Sequence, residues 1–295
     1  MNAVESIERP AGTTASFDVE RLTGTIGAEI SGLDLTRELP DSVIDELSDA
    51  LVRHKVLFFR DQPISSDQHL ALGRRFGSLE VHPFAMLRMF GNDEARPEMI
   101  VLDSTPDKPT AADTWHSDVT FRPAPAMGSI LRCRIAPKVG GDTLWANMAA
   151  AYEALDDATK ALIADLQAIH DWDIFRRGFL TQGVLDQESI AELGREYPPS
   201  EHPIVRTHPV SGEKILYVNV NFCTGIKGMK ESESRPLLER LFRQASIPDF
   251  QVRFRWRVDS IAFWDNRSTQ HYATKDYFGQ HRKMERVTIA GDRPF

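Results

Sequence analysis

The sequence predicts a mainly β protein with helices, built on a double-stranded β-helix (jelly-roll) core. From residue 99 onward, short runs rich in β-branched and aromatic residues follow one another with turn residues between them. Strands and helices do not alternate regularly, which disfavours a parallel α/β sheet. The length of 295 residues suits one unit of this class, and 41% hydrophobic residues can fill its core.

Residues 1–16 are small and polar and are expected to form a flexible tail, with 17–295 as one domain. No composition shift or internal repeat divides the rest. Strand-like pieces, FDVERL and TIGAEISGLDL, open it. Pro40 and Asp41 begin a helix on which Val43, Ile44, Leu47, Leu51 and Val52 recur at helical spacing. Residues 55–60, KVLFFR, read as a short buried strand. Ser65 or Ser66 caps a second helix that runs to about Phe76. Strands follow at MIVLD, MGSILRCRIA and GDTLWA, then two adjoining helices over 148–155 and 157–166. HPIVRTH and KILYVNV are the next strand-like runs, followed by a helix over 232–244. FQVRFRWRV, DSIAFWD and MERVTIAG close the chain.

Composition narrows the function. The 35 basic and 43 acidic residues give a net charge of −8, which disfavours nucleic acid as a partner. No stretch of 18 apolar residues predicts a membrane span. The first residues lack the basic and apolar regions of a secretory signal. The two cysteines, Cys133 and Cys223, suggest no disulfide scaffold, so a cytoplasmic location is expected. A small anion can still be held by a few local arginines, because net charge does not set the field inside one pocket.

Nine histidines are scattered along the chain, and one local pair stands out: His116-Ser117-Asp118 within TWHSDVTF. In a strand or at its end, residues two apart share a face, so the imidazole and carboxylate could bind one cation. A third ligand has to come from elsewhere, and His271 is the best placed, after an apolar strand that ends in a turn. Two imidazoles and one carboxylate form the facial triad of non-haem Fe(II) oxygenases, which leaves three coordination positions open. H-x-D alone is a weak signal. Arg282 lies 11 residues beyond His271, and alternation through Met284, Arg286 and Thr288 suggests a strand with both arginines on one face. Guanidinium forks match carboxylates, and a buried unpaired charge is costly, so two inward arginines need anions or acidic neighbours.

Taken in order, TIGAEISGLDLTR, RRFGSLEVHP, TWHSDVTF, GGDTLWANMAAAYEAL, IAFWDNRSTQHYATKDY and ERVTIAGDRPF resemble the taurine dioxygenase (TauD/TfdA) family over nearly the whole chain. These are Fe(II)- and 2-oxoglutarate-dependent dioxygenases that consume O2. The resemblance implies that His116, Asp118 and His271 hold the iron. Thr143 and Arg282 would then bind 2-oxoglutarate, Arg282 through its C5 carboxylate. It assigns Arg286 and His82 to the substrate's anionic group, Phe222 to the pocket wall and Trp264 to the neighbourhood of the metal. The implied reaction is hydroxylation of a C–H in a small anionic substrate. Taurine, another organosulfonate or an alkyl sulfate is the first choice, with release of sulfite or sulfate and an aldehyde. The same chemistry on an amino acid, an aryloxyalkanoate or a natural-product intermediate is the alternative. A zinc hydrolase and a jelly-roll binding module are the readings from other classes. The family also implies a homo-oligomer, a dimer or tetramer. Two positions depart from taurine dioxygenases: Ala85 stands where they have tyrosine, and Ala112 where they have asparagine. Residues 175–180, FRRGFL, diverge as well and are a candidate lid, with Arg176 and Arg177 expected to face solvent.

Overall fold

The computed structural model describes residues 16–84, 91–93, 95–107, 113–181, 183–277 and 279–295. The N-terminal part contains strands β1 (Asp18–Arg21) and β2 (Ala28–Ser31), helix α1 (Asp41–His54), β3 (Val56–Phe59), α2 (Ser66–Arg74), β4 (Gly91–Asp93) and β5 (Arg96–Ser104). β6 (Gly128–Ile135), β7 (Thr143–Asn147), α3 (Met148–Glu153), α4 (Asp157–Ile163), β8 (Gln167–His170), α5 (Asp173–Thr181) and α6 (Gln187–Glu196) follow. The C-terminal part runs β9 (Ser200–Pro203), β10 (Val205–Thr207), β11 (Lys214–Leu216), β12 (Cys223–Ile226), α7 (Glu231–Phe242), β13 (Gln251–Phe254), β14 (Ile261–Asp265), β15 (Thr269–Ala273) and β16 (Arg282–Ile289).

An eight-stranded sheet, ordered β1-β2-β3-β14-β6-β16-β5-β4, faces a three-stranded sheet, β13-β7-β15. This is the expected jelly-roll core. Two smaller sheets, β12-β8-β9 and β10-β11, and the helices surround it. The period-two pattern of the strands decides what each face touches. On β3, Val56 and Phe58 point between the two sheets while Leu57 and Phe59 pack under α1, so all four are buried. Burial on both faces explains why KVLFFR is continuously apolar. Phe58 stacks on Phe254 of β13 at 4.1 Å and meets Trp145 of β7 edge-on at 5.3 Å, which ties the sheets together at one end. On β16, Arg282, Met284, Arg286 and Thr288 alternate with Val287 and Ile289, which join the cluster under the helices.

The helices follow their sequence signals. α1 buries Val43, Ile44, Leu47 and Leu51, while Val52 is only partly covered. Ser65, not Ser66, caps α2, and Gln68 closes a reciprocal capping box. Several expectations need correction. KILYVNV is a strand only to Leu216. HPIVRTH is split into β9 and β10, and FQVRFRWRV is a strand only to Phe254. The helix expected over 232–244 gives way to a 3-10 turn at Arg243. The tail expected over 1–16 lies outside the described residues except for Ser16, whose backbone and hydroxyl both bond to Glu46. Among the described residues no helix is long and apolar enough to cross a membrane.

Candidate active site

The site lies at the open end of the sandwich. β14 and β15 are joined by a tight turn, and His271 sits inside β15, following an apolar strand and its turn as expected. His116 forms an isolated antiparallel bridge with it: each backbone N–H donates to the other's carbonyl, at 3.1 and 2.7 Å. Asp118 follows in a turn and not in a strand, so shared strand direction does not bring it beside His116. Its neighbour Val119 has φ 49, an uncommon left-handed conformation for a β-branched residue.

Ligand atoms of His116, Asp118 and His271 lie within 4.8 Å of one another, and all three side chains are buried. Each imidazole Nε2 is 3.9 Å from Asp118 Oδ1. His116 Nδ1 bonds to the carbonyl of Thr114 at 2.8 Å, so that nitrogen carries the hydrogen and Nε2 turns a lone pair toward the cluster. Burial holds the His116 imidazole below its usual range and pushes His271 down to about 3, with His116 and Arg286 adding to the effect on His271. Burial alone would raise the Asp118 carboxyl. The Arg286 guanidinium beside it, followed by the neighbouring imidazoles, outweighs that and holds it well below the ordinary carboxylate range. Neutral imidazoles and an ionised carboxylate are the forms a divalent metal needs. This donor set fits Fe(II).

β16 places two guanidinium groups on the same wall. Arg282 Nε donates to the carbonyl of Gly141 at 3.0 Å and its Nη2 approaches Thr143 Oγ1 at 3.4 Å; among the described residues it has no carboxylate partner. Burial lowers its proton affinity. Thr143 Oγ1 accepts from Trp256 Nε1 at 2.9 Å, which leaves its own hydrogen to donate. Gly140 and Gly141 both adopt left-handed backbone, and a Cβ on Gly141 would lie 2.7 Å from Pro137, so the double glycine shapes this wall. Arg286 donates from Nη1 to Asp118 Oδ1 at 2.9 Å, while its buried Nε has no partner among the described residues.

A cavity of about 280 Å³ connects these groups, with His82, Phe222, Trp264, Thr143, Arg282 and Arg286 in its lining. His82 accepts the Phe84 backbone N–H at Nδ1, and burial, then Arg286, pushes its imidazole down to about 3. Trp264 lies 5.0 Å from the His271 ring, centre to centre. The structure thus brings together every described residue that the family resemblance assigns to the site. Ala85 and Ala112 lie outside the described residues.

Several groups were not anticipated. Ile174 and Phe175 of α5 line the mouth, and Phe175 packs 6.0 Å from Phe222. The divergence of 175–180 was the available signal. Within that segment, Arg177 is solvent-facing, but Arg176 is not: it pairs with Asp171 and Asp173 and lies 4.6 Å over Trp172. Thr114 donates to Asn221 across the mouth at 2.6 Å. Asn266 bonds both backbone groups of Asp118.

A family model described as taurine catabolism dioxygenase TauD, TfdA family matches residues 18–288. An alkylsulfatase from Acinetobacter baylyi is 39% identical, over 95% of this chain and 86% of the relative. An alpha-ketoglutarate-dependent sulfate ester dioxygenase from Pseudomonas putida is 37% identical, over 94% of this chain and 91% of the relative. The crystal structure of a taurine dioxygenase from Burkholderia xenovorans is similar with a TM-score of 0.79 and 37% identity, covering 95% of this chain and 91% of that one.

Proposed function

The chain belongs to the TauD/TfdA family of Fe(II)- and 2-oxoglutarate-dependent dioxygenases, and from that membership we propose which of its residues perform the reaction and on what substrate. When bound, Fe(II) with 2-oxoglutarate and O2 supplies hydroxylation of a substrate C–H coupled to decarboxylation of the keto acid. His116, Asp118 and His271 hold the metal through Nε2, a carboxylate oxygen and Nε2. Arg282 binds the distal carboxylate of 2-oxoglutarate as a bidentate fork. Thr143 donates its hydroxyl hydrogen to the same group, while its oxygen accepts from Trp256 and Arg282.

On the same strand face, four residues away, Arg286 binds the substrate's anionic end, with His82 beside it. The observation that carries this reading is this pair of buried guanidinium groups on β16, with the His116, Asp118 and His271 cluster beside them. Phe175, Phe222 and Trp264 enclose the substrate body and keep water out. Binding at a distance from the reacting carbon places one C–H for attack.

The substrate is a small organosulfur anion, an alkyl sulfate ester or an organosulfonate such as taurine. Hydroxylation of the carbon that bears the sulfate gives a product that collapses to an aldehyde and sulfate; a sulfonate gives an aldehyde and sulfite. The sulfate-ester names of two relatives and the anion grip of Arg286 support this choice. The aromatic lining also favours a second reading within the same chemistry, an aryloxyalkanoate held by its carboxylate. The enzyme works in the cytoplasm, as a dimer or tetramer, with Cys133 and Cys223 buried and unpaired.

A panel of alkyl sulfates, sulfonates, aryloxyalkanoates and N-acyl amino acids, scored by succinate release with Fe(II), ascorbate and 2-oxoglutarate, tests the proposal. Sulfate or sulfite should appear in step with succinate. Turnover of carboxylates alone would overturn the organosulfur assignment. Light scattering on the eluted protein reads the assembly, and a monomer would refute that part.

A further inference from the structure

We propose that Asn266 is a positioning residue for Asp118, fixing its backbone so that its carboxylate faces His116 and His271. The proposal rests on the reading of Asp118 as a metal ligand.

Asn266 is fully buried, one residue beyond β14. Its Oδ1 accepts the Asp118 N–H at 2.7 Å, and its Nδ2 donates to the Asp118 carbonyl at 3.0 Å and the Ala126 carbonyl at 3.1 Å. One side-chain amide thus satisfies both backbone groups of Asp118, as a neighbouring strand would. The amide can face only one way, because a flip would set oxygen against two carbonyls and N–H against N–H.

Asp118 needs such a partner. It belongs to no strand, and the left-handed Val119 beside it has a conformation disfavoured for L-amino acids and most of all for a β-branched one. Without the clamp, relaxation of that strain would rotate the Asp118 side chain away from the imidazoles. Arg286 Nη1 bonds Asp118 Oδ1 at 2.9 Å and Ser129 Oγ lies 3.3 Å from Oδ2, but both act on the carboxylate and neither holds the Asp118 backbone.

Asn266 itself is held firmly. Its own N–H donates to Met127 O at 2.9 Å. Asp265, the residue before it, takes two bonds from the Arg267 guanidinium, at 2.9 and 2.7 Å, and one from His208 at 2.9 Å. The turn that orients Asn266 leads directly into β15 and His271, so one short segment sets the positions of two ligands.

Co2+ titration of the full chain, followed by absorption, tests the assignment with Asn266→Ala, Asp118→Ala and the double variant. Removing a residue that orients a metal ligand typically weakens affinity 10–100-fold, and Asn266→Ala should do the same. Asp118→Ala should weaken binding further, and adding Asn266→Ala to it should change nothing more. Unchanged affinity in Asn266→Ala, or an equal loss when Asp118 is already absent, would overturn the positioning role. Asp118→Ala with full Co2+ affinity would instead remove the ligand assignment on which the proposal rests. If the alanine variant does not give the native circular dichroism, Asn266→Ser, smaller but polar, puts the same question with the same expected direction.

Discussion

Arg282 and Arg286 are four residues apart on one strand, and their surroundings separate their tasks. Arg282 is a buried cation whose described partners are a carbonyl and a hydroxyl, both neutral. Losing one side of a buried, hydrogen-bonded charge pair costs about 2–5 kcal/mol. Arg282→Ala should therefore raise KM for 2-oxoglutarate by about 30-fold or more, which succinate-release kinetics would show. Arg286→Ala should raise KM for the sulfate or sulfonate far more than it weakens metal binding. A matching loss of Co2+ affinity would refute its role as the anion grip. Both arginines were legible because alternation through Met284 and Thr288 marks an inward face. Asn266 was not, because an asparagine after a strand reads as ordinary turn chemistry until the backbone it clasps is known. Nor did the H-x-D spacing anticipate that Asp118 would be aimed by a turn, since two residues in sequence do not reveal the left-handed Val119 between a strand bridge and a loop.

Elements with strong periodicity or capping were read correctly, and those held in place by distant partners were missed. α2 illustrates the first group. Ser65 and Gln68 satisfy each other's backbone N–H groups, so Ser65→Ala should cost about 1 kcal/mol, visible as a lower urea midpoint at unchanged slope. The second group includes α6, capped by Asp186 but burying only Ile190, too thin a stripe to show as periodicity. β8 and β12 are four residues each and are defined by cross-strand pairing, β12 with β8 and β8 with β9 as well. α5 brings Ile174 and Phe175 to the cavity mouth and buries Phe179 in the aromatic cluster around Phe84. Phe175→Ala should raise KM for the organic substrate while leaving KM for 2-oxoglutarate unchanged, since Arg282 and Thr143 lie on the sheets and not on this helix.

Across the whole molecule, buried imidazoles link folding to pH. Burial pushes His69 down to about 4, with Arg132 and Arg134 adding to the effect and the bond to Ile130 opposing it. His54 is also pushed to about 4, by burial first and then by Arg53. An unfolded histidine titrates near 6.5, so between about 6.5 and 4 the unfolded chain binds more protons than the folded one. The stabilisation from keeping these rings neutral is complete above about 6.5 and is lost as pH falls toward 4. The urea midpoint should drop between pH 7 and pH 5, and His69→Gln should flatten that dependence. Identical midpoints at the two pH values would contradict the linkage. The jelly-roll class was readable from the succession of short strands, but strand order was not. β16 lies between β6 and β5, though both precede it by well over 100 residues, and no local pattern encodes that distance.

That placement bears on how the sheet closes. β16 pairs with β6 on one side and β5 on the other, so until it docks both of those strands keep an unpaired hydrogen-bonding margin. Any lesion that keeps β16 from docking therefore opens the middle of the large sheet and not its rim.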